Sequence, residues 1–560
     1  MPRLWIQQLV FSDKSTATLS KNDIVLVIGP NNAGKSATLR GIRDKLTSSA
    51  HSDVLAELTT MREGTSEEVA DWLDSFTKKN DSQAIDPVFQ AFGTGLAKSY
   101  ISRYWSDQNP LQTLARFFCH LLTADERLNA ANPPASIAVV REPPTHPIHY
   151  LLRDDGLEKK LSDQFRKSFG VDLVVNRVAG SQVPLHVGQR PVPGVGQDRI
   201  SYEHVQNIEA LPMLHMQGDG MRSFAGVLLY TSAGRESILL IDEPEAFLHP
   251  PQARQLGRML VTDKPDSRQM FVATHSGDVL RGVLDAGSSS VRVMRLRREG
   301  NLNHVRQLDN TKIAELWNDP LLRYSNILDG LFHEKVIICE GDADARFYSA
   351  VMDSLIEAKD QATRRPDVMF THCGGKDRCP LVVRALREVD VPIAVVLDFD
   401  VLNAERPLRD IVEAAGGDWG AVEVDWGLIK RTIDSKKPEL TTVEVIESIT
   451  KVLKDVDATT FPKNAKDAIQ KIFKRASPWS TAKEVGKTFI PAGQPTQAYE
   501  RLVATLRGYG VHIVEVGEVE GFVRSVGNHG PKWVNEALKK NLKVDSELET
   551  ARRFVERLVA

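Results

Sequence analysis

Cysteine is scarce in this chain: four residues in 560 (Cys119, Cys339, Cys373 and Cys379), at irregular spacing. That excludes a disulfide framework and fits a reducing compartment. Cys373 and Cys379 lack the paired CxxC or histidine set of a zinc site, so no zinc module is expected. A surplus of one charge is lacking too. With 71 basic and 74 acidic side chains the formal net charge is −3, so any surface for nucleic acid must be a local patch. No apolar run approaches the roughly 18 residues of a membrane helix. Met1-Pro2-Arg3-Leu4-Trp5 enters a strand-like pattern directly, without the apolar core of a signal peptide. A cytoplasmic protein with no membrane contact is expected. No heptad pattern outlasts a few turns, which excludes long coiled-coil arms. The chain is too long for one core, and about two to four domains are expected.

What is present begins at Ile28–Ser36, I-G-P-N-N-A-G-K-S, after the apolar run Ile24–Ile28 and before a helical segment, 37–46. Strand, glycine-rich turn and helix start are the parts of a phosphate loop. Gly29 and Gly34 let the backbone of Pro30, Asn31, Asn32 and Ala33 wrap a polyphosphate with its N–H groups inward, aided by the helix dipole. Lys35 can reach the terminal phosphates, and the Ser36 hydroxyl can join a magnesium shell. A second apolar run, 238–241, ends in Asp242-Glu243. This places two carboxylates at the C-terminal tip of a buried parallel strand, beside the ligand crevice. Asp242 can hold magnesium, and Glu243 can orient and deprotonate the attacking water. The strand pattern 269–273 leads to Thr274-His275-Ser276, with His275 where a γ-phosphate contact would lie. Strands are also expected at 4–11, 136–140 and 171–175. The stretch from about 48 to 210 reads as mostly helical, including 111–122.

The phosphate loop, the D-E-P-E-x-x-L-H-P run from Asp242 to Pro250 and the T-H-S triplet resemble the ATP-binding-cassette class of ATPase. The branch is that of RecF-like and SMC-like repair proteins. The resemblance implies that Gly218-Asp219-Gly220 opens a helix touching nucleotide held by a second subunit. A homodimer or higher homo-oligomer joined through ATPase heads follows, with Gly220 among the nucleotide-binding residues.

The second half carries another chemistry. Strand patterns at 335–339, 368–372 and 393–397 end in Glu340-Gly341, in Cys373-Gly374-Gly375-Lys376 and in Asp398-Phe399-Asp400. Three such tips converge on one edge of a sheet. Glu340, Asp344, Asp398 and Asp400 would form a carboxylate cluster whose repulsion a divalent cation relieves, and hard oxygen ligands favour magnesium or manganese. The stretch 442–474 reads as long and helical. From Lys463 to Lys487 basic residues outnumber acidic ones, which makes a solvated helix face or a phosphate-backbone contact.

E-G-x-x-D, G-G-K and D-x-D in this order resemble the TOPRIM domain of topoisomerases, primases and nucleases. An ATP-binding-cassette ATPase followed by a TOPRIM domain resembles the overcoming-lysogenization-defect (OLD) nucleases, including the nuclease subunit of the Gabija system and retron-associated effectors. The implied architecture is α/β throughout. An ATPase domain spans 1–310 with an insertion at 48–210, a helical linker spans 311–333, and a TOPRIM domain spans 334–560 with a helical insertion at 420–505. The resemblance implies ATP-regulated, metal-dependent cleavage of DNA in antiphage defence. One magnesium (or manganese) would accompany ATP and two would occupy the TOPRIM site. Partners such as a helicase or a reverse transcriptase with its non-coding RNA are implied. It further implies a late acidic ligand, Glu518 (or Glu520), and a late lysine, Lys532. A non-cleaving RecF-like ATPase that senses DNA, and a TOPRIM toxin acting on RNA such as tRNA, are the alternatives.

Overall fold

The computed structural model describes residues 2–559 apart from 49–50, 80–85, 92, 107–109, 301, 309–316, 324–325, 359–363, 437–440, 455, 457–460 and 474–477. The chain divides into two compact units, Met1–Phe332 and His333–Ala560.

In the first unit, three apolar runs become adjacent buried strands. The six-stranded sheet runs Leu302–Leu308, Val291–Glu299, Ile24–Ile28, Gln269–Ala273, Ile238–Asp242, Cys119–Leu122. All neighbours are parallel except the 291–308 hairpin. Ile24–Ile28 and Gln269–Ala273 are buried at every position, as near-continuous apolar strands covered on both faces must be. Parallel register brings the phosphate loop, Asp242 and His275 out at one sheet edge. Arg3–Phe11 pairs antiparallel with Thr16–Thr18 and Leu55–Glu63. It turns Leu4, Ile6, Leu9 and Phe11 inward, the alternation slipping by one residue at a register shift between Ile6 and Gln8.

Three expectations are corrected. The stretch 48–210 is not mostly helical. It interleaves helices with strands, among them Leu55–Glu63, Val88–Ala91, Thr94–Ala97, Asp172–Val175 and Leu185–Gly188. Residues 111–122 are a short helical turn followed by the edge strand Cys119–Leu122, bonded along Ile238–Ile241. Four apolar residues have no period of their own, so only the partner strand decides their conformation. Residues 136–140 form no strand. Pro133 and Pro134 precede them, only Ile137 is buried, and pairing is limited to one bridge, Ala135 to Gln182.

The second unit is a parallel four-stranded sheet ordered Val368–His372, Lys335–Cys339, Ile393–Leu397, Val511–Ile513. Phe347, Tyr348, Phe522, Trp533 and Phe554 form an aromatic cluster against it. Between 420 and 505 the described residues are mostly helical, including Glu423–Asp434, Pro478–Val485 and Gln494–Gly508. The long helix expected over 442–474 is two helices, Thr442–Lys454 and Lys463–Phe473, with Pro462 just before the second. Much of the linker expected at 311–333 lies outside the described residues. The rest holds a short helix, Pro320–Arg323, and a 3₁₀ turn, Ile327–Phe332.

The helices that follow the Asp242 and His275 strands, Pro250–Thr262 and Gly277–Asp285, pack at backbone contact through Gly257 and Gly282. A Cβ at Gly282 would lie 1.9 Å from the Arg254 carbonyl oxygen. Gly282→Ala must therefore push the helices apart, at a cost of about 1–3 kcal/mol. Calorimetry is expected to show the first unit melting lower by about 2 °C or more.

Candidate functional site

In the first unit, the glycines of the phosphate loop are fixed by backbone geometry. Gly29 and Gly34 have φ of +141° and +92°, and Asn32 has +63°. A Cβ on Gly29 would lie 2.1 Å from the Leu296 carbonyl oxygen, so no other residue fits. The buried Asn303 side chain, from the hairpin, donates to the Ala33 carbonyl at 2.6 Å and braces the loop. Lys35 Nζ donates to the carbonyls of Gly29 and Pro30, both at 2.8 Å. Ser36 Oγ donates to Asp242 Oδ1 at 2.8 Å. Strand order thus joins two residues 206 positions apart in the chain, the pair expected to share a magnesium shell. Burial pushes the Asp242 carboxyl up from its ordinary value.

Glu243 adopts φ of +49°, a left-handed conformation that a glutamate rarely takes. Two bonds hold it there. Its N–H donates to the Ala273 carbonyl at 2.8 Å, and its own carbonyl accepts from Arg127 Nη2 at 2.9 Å. The same guanidinium donates to the Asp242 carbonyl at 2.5 Å and to Ser223 Oγ at 3.0 Å. Arg127 is fully buried, on the helix Ala124–Ala130 that follows the edge strand, and Ser223 lies on the helix Asp219–Ala233. His275 Nδ1 lies 3.5 Å from Glu243 Oε1 and 3.2 Å from Glu245 Oε1. Glu245 is buried and accepts from Thr274 Oγ1 and from the His275 N–H, at 2.8 and 2.9 Å. Gly220, one residue into its helix, abuts the turn after the acids. A Cβ there would lie 2.8 Å from the Phe247 carbonyl oxygen. Sequence reasoning missed Arg127 and Glu245. Glu245 was visible within the D-E-P-E run, whereas Arg127 carries no motif and is placed by an edge strand that read as helix.

In the second unit, three strand tips bring the predicted carboxylates together. Glu340 Oε1 accepts the Asp398 N–H at 2.9 Å, and Asp344 Oδ2 accepts the Gly341 N–H at 2.9 Å. Oxygens of Glu340, Asp398 and Asp400 lie within 4.8 Å of one another, and ligand atoms of Glu518, Glu520 and His529 form a second such group. Lys483 Nζ stands 2.9 Å from Asp398 Oδ2, 3.7 Å from Asp400 Oδ1 and 3.8 Å from Glu518 Oε2. Lys376 pairs with Asp400 at 3.2 Å. Burial, then the charge of Asp398, pushes Glu340 up to about 8 and Asp344 up to about 7. Burial also raises Asp398. Burial opposes the charge on Lys483, but Asp398, Asp400 and Glu518 outweigh it and raise its pKa. The donors are all hard oxygens, and Asp400 Oδ1 is buried without a hydrogen-bond donor. The set fits a divalent cation of the magnesium or manganese kind.

Lys532 is not at this cluster. It stands exposed in the first turn of Pro531–Ala537, and no ion pair joins it to the described carboxylates, because that turn buries its neighbour Trp533 instead. The lysine among the acids is Lys483, from the helical stretch. Its signal was the basic run ending at Lys487, which reads as a solvated helix face or a phosphate-backbone contact. Glu518 and Glu520 are both present, Glu518 nearer Lys483 and Glu520 accepting the Gly530 N–H at 2.8 Å.

Arg127→Met removes both bonds to the turn that orients Glu243, and the third that ties it to Ser223. ATP turnover is expected to fall about 10²–10³-fold with little change in nucleotide affinity, as read from steady-state kinetics beside equilibrium binding.

The family described as "AAA domain, putative AbiEii toxin, Type IV TA system" matches residues 97–281. That described as "Overcoming lysogenization defect protein-like, TOPRIM domain" matches residues 331–400. The OLD nuclease of Thermus scotoductus is 29% identical over 173 residues, covering 29% of this chain and 31% of its own. The Old nuclease of Escherichia phage P2 is 26% identical over 121 residues, covering 20% of each. The chain thus spans a third or less of the length of these two relatives. The SMC head bound to the C-winged helix domain of ScpA aligns with a TM-score of 0.34 at 10% identity, over 55% of this chain and 99% of its own. No described helix is long and apolar enough to cross a membrane. The chain thus carries an AAA-type ATPase domain followed by an OLD-like TOPRIM domain, and parts of it are similar to OLD nucleases.

Proposed function

We propose that this protein is an ATP-regulated, divalent-metal-dependent endonuclease that hydrolyses DNA phosphodiester bonds, acting in antiphage defence as its family resemblance implies. The observation that carries the reading is the group Glu340, Asp398 and Asp400, with Asp344 and Glu518 beside it, around Lys483. Glu340, Asp398 and Asp400 would hold one cation and Glu518 with Glu520 a second. Bound there, such cations supply an activated water and neutralise charge on the leaving 3′ oxygen.

The chain's own groups do the rest. The Asp398 N–H fixes the Glu340 carboxylate, and the Gly341 N–H fixes Asp344 at the start of its helix. Lys483 holds an ammonium beside the acids, where it can stabilise charge that develops on a non-bridging phosphate oxygen. In the ATPase unit, loop N–H groups and Lys35 bind the phosphates, Ser36 and Asp242 hold the magnesium, and Glu243 orients water. His275 lies between Glu243 and Glu245 and can report the γ-phosphate to both. Gly220, at the start of its helix, would meet nucleotide from a second subunit in a head-to-head homodimer.

Plasmid DNA and tRNA incubated side by side with magnesium or manganese test the reading. Plasmid nicking that stops with EDTA and with Asp398→Ala is expected. Lys483→Ala is expected to slow it about 10²–10³-fold, and Lys532→Ala far less. Intact plasmid with cleaved tRNA would make the protein a ribonuclease. No cleavage of either, with ATP turnover that Lys35→Ala abolishes, would make it a non-cleaving ATPase.

A further inference from the structure

Beside the carboxylates, the same sheet edge carries a second cluster of opposite sign. Val511–Ile513 runs parallel to Ile393–Leu397, so Glu515 leaves the sheet on the edge where Asp398 does. Three cations converge on this one glutamate: Lys487 at 2.6 Å, Arg507 at 2.5 Å and Arg557 at 3.6 Å. A cavity of about 590 Å³ opens over them, lined by Lys487, Glu515, Thr550, Arg553, Glu556 and Arg557. With Arg507, four cations face two lining carboxylates, although Arg553 also pairs with Glu549. Lys487 and Arg557 remain about half exposed, at 55% and 49%. The surplus charge acts on its surroundings: burial and the charges of Lys335, Arg507 and Arg557 hold His512 down at about 4.

Lys487 follows Lys483 by four residues, in the 3₁₀ turn Gly486–Phe489 after the helix ends, and its N–H donates to the Glu515 carbonyl at 2.9 Å. Glu515 precedes Glu518 by three residues, so at most about 11 Å separates their Cα atoms. At about 3.4 Å per nucleotide along a strand, that is some three phosphates. Electrostatic attraction of this kind positions a backbone without reading its sequence.

We infer that Lys487, Arg507 and Arg557 form a binding site for the phosphodiester backbone of a nucleic acid, gripping it about three nucleotides from the carboxylate cluster. The inference rests on the nuclease reading for its substrate, but its test is of binding. In the Asp398→Asn background with magnesium, labelled duplex DNA and labelled tRNA are titrated separately over a range of salt, with and without Lys487→Ala plus Arg557→Ala. The pair of substitutions is expected to weaken binding of at least one nucleic acid about tenfold and to lower the slope of log K against log salt by about 1.5–2. The arm that responds identifies the polymer. Glu515→Gln separates recognition from a structural role. It frees the cations and is expected to leave binding equal or tighter, with all variants melting within a few degrees of the parent. Unchanged affinity and slope in both arms, or binding lost equally in Glu515→Gln, would overturn the inference. Failure of the parent to cleave, with this binding response intact, would overturn only the nuclease reading.

Discussion

Lys483 Nζ lies 2.9 Å from Asp398, and its charge helps Asp398, Asp400 and Glu518 stand together at the end of a parallel sheet. Five carboxylates in partly buried surroundings repel one another, and the repulsion shows in Glu340 and Asp344, both pushed up to near neutrality. Such an arrangement persists only where cations balance it. Lys483 and Lys376 supply part of that balance from the chain. A divalent ion would supply the remainder, which is why the cluster reads as a metal centre rather than a solvated acidic turn.

The ATPase unit obeys the same rule with another cation. Asp242 and Glu243 sit at a strand tip, Glu243 in left-handed backbone, and the buried Arg127 ties both carbonyls to Ser223 on the helix that Gly218 opens. In each unit an acidic strand end is held by a basic side chain from a helix elsewhere in the sequence. Arg127 precedes its acids by more than a hundred residues, and Lys483 follows Asp398 by more than eighty. These connections give each helix a role in setting the chemistry, because a small shift of either would move a charged group within its site.

That pattern explains what could be read from the sequence. Strand tips were legible, since a run such as Ile238–Asp242 or Ile393–Asp398 announces both its burial and its polar end. Parallel topology then made the meeting of Ser36 with Asp242, and of Glu340 with Asp398, a consequence of strand order. The clamping cations were not legible, because a lone arginine or lysine on a helix has no period or spacing that tells a buried bond from a solvated face. The family resemblance implied Lys532 as the late lysine, yet its turn buries Trp533, and the lysine among the acids is Lys483. The edge strand Cys119–Leu122 was missed because four apolar residues take their conformation from a neighbour.

The central claim is that Glu340, Asp398 and Asp400 form a divalent-cation centre. Anomalous diffraction from crystals soaked in manganese tests it most directly. The account predicts a strong anomalous peak bounded by those three carboxylates, lost in Asp398→Asn. A peak elsewhere in the second unit with none among these three, or no bound manganese at concentrations that support catalysis, would contradict it.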